Sequence, residues 1–146
     1  MLATALFLLQ ALLPADLPNS AVVVLPSGDE FMVELAVTPE ERRVGYMNRE
    51  EVGPRDGMLF LFGTDGAHGI WMKNCRVALD IIWLDQDFQV VHIAPDRQPC
   101  SADGPCPSAY PFRPARYVLE LAAGRAFETG LAAGDRVVVL SDPPIR

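Results

Sequence analysis

The order of apolar and polar positions along the chain reads as a succession of short strands. "EFMVELAV" (Glu30 to Val37) sets Phe31, Val33, Leu35 and Val37 against Glu30, Met32, Glu34 and Ala36, the alternation of a half-buried strand. "TPEERRVGYM" breaks that period. Thr38 can cap, Pro39 suits the first helical position and Glu41 completes a capping box, so a short helix begins here and Gly45 weakens or ends it. "GMLFLF" (Gly57 to Phe62), "GIWMKN" (Gly69 to Asn74) and "LDIIWLD" (Leu79 to Asp85) are predicted as further strands, rich in aromatic and β-branched residues. Asp85 to Asp87 form a turn, and "FQVVHIA" returns as the second arm of a hairpin. "RYVLELAAG" and "DRVVVL" are late strands, with a short helical turn in "GRAFETGL". This pattern predicts an α+β, mostly β fold: a compact β-rich barrel or sandwich with one or two short helices.

Length fits one domain, and half of the 146 residues are hydrophobic, enough for one packed core. Residues 2 to 13, "LATALFLLQALL", are uncharged and apolar, and small residues follow in "PADLPNSA". The run is shorter than the roughly 20 residues that span a bilayer. It reads as a signal peptide over residues 1–20, preceding a mature domain over 21–146. No Lys or Arg precedes it, so a start further upstream, or an uncleaved anchor helix, stays open. The export reading places the protein in the periplasm or outside the cell, with no stable membrane anchor after cleavage.

The net charge of −7 argues against nucleic acid, whose phosphates need a basic face, and against electrostatic attachment to anionic lipid. Cys100 and Cys106 lie close together in "PCSADGPCP", within a loop region (residues 95–114) rich in proline. That spacing suits a structural disulfide in an oxidising compartment; a redox pair or a metal site is the alternative. Cys75 is left over, a small buried hydrophobe.

The chemistry-bearing stretch is "GIWMKNCRVALDIIWLD". It holds Lys73, the one lysine of the chain, and Asp80, an aspartate inside an apolar strand. Asp80 shares a face with Ala78, Ile82 and Leu84, while Leu79, Ile81 and Trp83 take the other, so burial is expected on either face. A buried carboxylate needs a partner, and Lys73 and Arg42 are the candidates by type. The expectation is that Lys73 and Asp80 lie close together, with the ammonium facing a pocket bordered by Trp71 and Arg42.

Together, "FMVELAVTPEERRVGYMNRE", "GMLFLF", "WMKNCRVALDIIWLD", "YVLELAAG" and "GDRV" resemble, in order and spacing, the family called domain of unknown function 192. The resemblance covers roughly residues 30 to 140. It implies a small, usually exported, β-rich domain of unestablished activity. The polar positions matching the family's pattern are Thr38, Glu41, Arg42, Arg49, Lys73, Asn74, Asp80 and Asp135. Cys75 stands where that pattern usually has threonine, and Tyr46 where leucine is common.

Other chemistry is sparse. Ser27, Ser101, Ser108 and Ser141 lack a nucleophile elbow, and "GTDGAHG" lacks the spacing and lysine of a phosphate loop. The adjacent acids Glu40–Glu41 and Glu50–Glu51 suit a helix start or a solvated turn. Met47, Met58 and Met72, with Cys75, His68 or His92 nearby, could offer soft ligands to Cu(I). Among Phe, Leu and Trp, however, they read as core filling, so no metal and no cofactor is expected. The functional expectation is a non-catalytic ligand-binding or accessory domain of the cell envelope, monomeric, with candidate residues Arg42, Arg49, Trp71, Lys73, Asn74 and Asp80. Its ligand would be small and anionic or sugar-like. The alternatives are an envelope enzyme with a Lys73/Asp80 acid–base pair, or a purely structural domain.

Overall fold

Seven strands and two short helices account for the regular structure of the computed structural model, which describes residues 19–101 and 103–145. The expected signal peptide over residues 1–20 lies, but for its last two residues, outside the described part. In chain order the elements are β1 (Ser20–Val24), β2 (Glu30–Ala36), α1 (Pro39–Val44), β3 (Asp56–Gly66), β4 (Leu79–Leu84), β5 (Val90–Arg97), β6 (Ala115–Ala122), α2 (Arg125–Thr129) and β7 (Val138–Leu140). The predicted β-rich architecture with two short helices is what the chain adopts.

The strands form one sheet in the order β5-β4-β6-β3-β2-β1-β7. Only β2 and β3 pair in parallel, and α1 lies in the connection between them. The sheet is open but strongly curled, so that its two ends meet. The Val90 amide donates to the Asp135 carbonyl at 2.7 Å and the Val137 amide to the Phe88 carbonyl at 3.0 Å, tying the segment before β7 to the start of β5. The result is barrel-like.

Side-chain alternation then divides the core in two. Val23, Phe31, Val33, Leu59, Ile82, Leu84, Leu119 and Leu121 fill the inside of the curl. Met58, Phe60, Leu79, Ile81, Trp83 and Val118 occupy the outer face, together with Tyr46, Ile70 and Met72 from the connecting segments. Trp83 is fully buried there and donates its indole N–H to the His68 carbonyl at 2.8 Å, pinning the loop after β3 against the sheet.

Local signals behave as read. Thr38 accepts from the Glu41 amide at 3.1 Å, Glu41 accepts in return from the Thr38 amide at 3.1 Å, and Pro39 opens α1. Gly45 closes the helix at φ 45°, a left-handed setting that favours glycine. Asp85 takes the Asp87 and Gln89 amides and makes the β4–β5 turn. Cys100 and Cys106 are joined, and Cys75 is free.

One predicted strand fails. "GIWMKN" contributes a single bridge, Ile70 to Ala109, and then turns, with Asn74 at φ 57°. Strand-like composition is overridden because the loop after β3 crosses the sheet's outer face and does not join its edge.

Candidate functional site

The site is built on the outer face of the sheet. Glu120 sits near the middle of β6, flanked across the ladder by Met58 of β3 and Ile81 of β4. Both neighbours are apolar, and the residue is 4% exposed. Its carboxyl has no hydrogen bond and no ion pair among the described residues. Burial without compensation penalises the charged form, and the Glu120 pKa is pushed up to about 8. At neutral pH this side chain is chiefly a neutral carboxylic acid.

Above Glu120 lies a cavity of about 210 Å³. Phe60 and Phe62 of β3 line it from the sheet, Tyr46 and Met47 from the segment after α1, and Ile70, Trp71, Lys73 and Cys75 from the loop before β4. Phe62 is held between the His68 ring, stacked at 3.9 Å, and the Arg42 guanidinium, 5.2 Å from its centroid. Tyr46 is 4% exposed and its buried hydroxyl has no hydrogen-bond partner among the described residues. Burial first, and then the neighbouring Glu120 charge, push the Tyr46 phenol and the Cys75 thiol upward, the latter to about 11. Cys75 is therefore a thiol and not a nucleophilic thiolate at neutral pH. Lys73 is exposed, makes no ion pair among the described residues, and holds its Nζ 5.0 Å from the centroid of the Trp71 ring, itself 41% exposed. The chamber thus has an acid at its floor, aromatic walls, and an indole and an ammonium among its outer lining.

The structure distributes the six candidate residues unevenly. Arg42, Trp71 and Lys73 line this cavity. Asn74 lines a neighbouring depression that shares Trp71, Lys73 and Cys75 with it and is bordered by the disulfide. Arg49 faces a third hollow and is paired with Glu34 at 2.5 and 2.8 Å, its guanidinium 5.1 Å from the Tyr46 centroid. Arg42 donates to the Val37 carbonyl and to the Leu61 carbonyl at 2.8 Å, which joins the start of α1 to β3. It frames the chamber as a structural wall.

Asp80 requires a correction. It is fully buried, as its strand context predicts, but its partner is not Lys73. Its Oδ1 accepts from the amides of Asp96 at 2.9 Å and Gly124 at 3.2 Å, and its Oδ2 from the amide of Ala126 at 2.8 Å. Those amides satisfy the carboxylate and cap α2, whose own N-cap, Gly124, has no side chain. Asp80 is paired in register with Leu121, whereas Glu120 is paired with Ile81. Asp80 and the chamber consequently lie on opposite faces of the sheet, and no Lys73–Asp80 pair exists.

The acid that does face the Lys73 chamber, Glu120, escaped the sequence reading although "VLEL" carries the same mark as "ALDII": one acid inside an apolar strand. Tyr46 was visible only as a residue replacing a common leucine. Among the described residues no cluster of three or more His, Cys, Asp or Glu side chains could hold a metal, and no helix is long and apolar enough to cross a membrane.

A family model, DUF192, described as an uncharacterised ACR, matches residues 22–139. A candidate transcription regulator from Sinorhizobium meliloti 1021 is 34% identical, with 82% of this chain and 92% of that one covered and a TM-score of 0.72. A protein of unknown function from Novosphingobium aromaticivorans DSM 12444 is 35% identical, with 82% and 83% covered and a TM-score of 0.70. No curated protein matches the chain.

Proposed function

The chain belongs to the DUF192 family, and from that premise we propose that it is a small exported domain of the cell envelope that binds a small ligand, without catalysis, in the chamber over Glu120. One observation carries the reading. Glu120 is a buried carboxyl with no partner among the described residues, and it opens into a chamber lined by Trp71 and Lys73. Buried polar groups are almost always satisfied, so an unsatisfied one facing a cavity marks where an outside molecule supplies the partner. The chamber is somewhat larger than a cavity of about 150 Å³, which accepts benzene, and so suits a ligand of modest size.

At neutral pH the chamber's sign is set by Lys73 and Arg42, because Glu120 is largely neutral, Arg43 is paired with Glu40, and the Arg42 guanidinium hydrogen-bonds only to carbonyl oxygens among the described residues. An anionic or sugar-like ligand fits that polarity, with the Trp71 indole as a flat wall. Export is supported by the apolar run at residues 2–13 and by the Cys100–Cys106 bridge, which persists in oxidising compartments. A net charge of −7 disfavours DNA as a ligand of this chain. Lys73 and Asp80 cannot act as an acid–base pair, since Asp80 faces away from the chamber.

The test is a thermal-shift screen of the purified domain against small carboxylates, phosphates and neutral sugars, alongside Lys73→Met and Trp71→Ala. A binder should raise the melting temperature of the wild-type domain by mass action and do so less for either variant. Equal shifts in all three proteins would move the binding elsewhere.

A further inference from the structure

We propose that the chamber takes a small monocarboxylate with an apolar body, its carboxylate meeting the Glu120 carboxyl at the floor and lying within the field of the Lys73 ammonium. This rests on the reading that the chamber binds a ligand, and it narrows the chemistry. The walls over Glu120 are Phe60, Phe62, Ile70 and Met47, which offer contact area and no hydrogen-bonding side chain. An apolar ligand body is therefore favoured over a polyol, whose several hydroxyls would each need a partner. The polar side-chain groups lie at the floor, in the outer lining and at the Tyr46 hydroxyl, too few to satisfy a polyol.

The groups facing Glu120 decide the ligand's sign. Tyr46 follows α1, Cys75 and Lys73 belong to the loop before β4, and Arg42 and Arg43 come from α1; β3 and β4 present only Met58, Phe60, Phe62 and Ile81. None of these forms an ion pair with Glu120. The protonated carboxyl is a donor, as carboxylic acids kept neutral in apolar sites are. A carboxylate is the acceptor that gains most from it, because hydrogen bonds to an ionised group are about twice as strong as neutral ones. A cationic amine would have to displace the Glu120 proton and also face Lys73.

Proton linkage makes the proposal measurable. Glu120 must hold its proton for the anion to bind, so affinity is level below its pKa of about 8 and falls about tenfold per pH unit above it. Cys75, at about 11, titrates outside that window. Benzoate is the probe, titrated into the wild-type domain and into Glu120→Gln between about pH 6 and 9.5, with benzylamine, benzyl alcohol and methyl glucoside as comparators. The expected result is benzoate binding tightest, a wild-type affinity that drops above about pH 8, and a Glu120→Gln variant that binds with a flat profile because its amide keeps a donor. A flat wild-type profile, an unchanged profile in Glu120→Gln, or tighter binding of benzylamine would overturn the carboxylate assignment. Glucoside binding without benzoate binding would refute it and leave the chamber as a site. No binding by any probe to a folded domain would refute the chamber itself, leaving water as its only occupant.

Discussion

Replacing Glu120 with glutamine should make the domain more stable, by an amount that grows with pH. A glutamate ordinarily titrates near 4.5, and burial on the outer face of β6 raises Glu120 to about 8. The folded protein therefore holds this proton more tightly than the unfolded chain does. Between those two values the unfolded chain has released the proton while the native state keeps it, so stability falls as pH rises. Below about pH 4.5 the group is neutral in both states and costs nothing through ionisation; above about pH 8 the native state carries an unpaired buried charge. At roughly 1.4 kcal/mol per unit, the penalty is about 3 kcal/mol at pH 7 and levels off near 5 kcal/mol above the native pKa. Glutamine cannot ionise and keeps nearly the same shape, so the variant should lie within about 1 kcal/mol of the wild type at pH 5 and exceed it by about 3 kcal/mol at pH 7. For a domain of this size that is about 10 °C in melting temperature. Urea unfolding of both proteins across pH 5 to 9 gives the difference curve directly, since the exposed carboxylates are common to the two proteins. A difference that stays flat with pH, or a variant less stable at pH 8 than at pH 5 relative to wild type, would refute the account of Glu120 as an uncompensated acid.

The remaining predictions concern the scaffold. Asp80→Ala should cost about 3–5 kcal/mol, because three amide donors from the ends of β5 and α2 lose their acceptor, and chemical denaturation will read the loss. Thr38→Ala removes one half of the capping box of α1 and should cost about 1 kcal/mol in the same assay. Reduction of Cys100–Cys106 should lower stability by about 2 kcal/mol, a modest amount because the closed loop is short. Alkylation with mass analysis should label one cysteine in the non-reduced, unfolded protein and three after reduction; labelling of all three without reductant would contradict the bridge.

What could be read from sequence was local chemistry. The capping box needs only Thr38, Pro39 and Glu41, the β4–β5 turn only Asp85 and its neighbours, and the disulfide two cysteines in one loop. Strand alternation in "EFMVELAV" likewise declares itself, apart from Val37, which lies past the end of β2 and is exposed. Non-local pairing was not legible. Asp80 was expected to be buried and paired, but its donors lie 16, 44 and 46 residues away and are backbone amides, which no residue type advertises. Composition misled at "GIWMKN", where apolar residues cover the outer face of the sheet as a loop. Glu120 carried a readable signal, but only strand order reveals that it lies beneath Lys73 and Trp71 while Asp80 faces the other way.

The central claim, that the chamber over Glu120 is the ligand site, is tested most directly by methyl NMR of the domain labelled at methionine. Met47 lines the chamber, whereas Met32 of β2 borders a separate hollow beside Arg49. Titration with benzoate at pH 6.5 should move the Met47 methyl resonance in a saturable way, leave Met32 in place, and lose that response in a folded Lys73→Met, Glu120→Ala double variant. A saturable shift at Met32 with Met47 unmoved, or the same Met47 response in the double variant, would contradict the account.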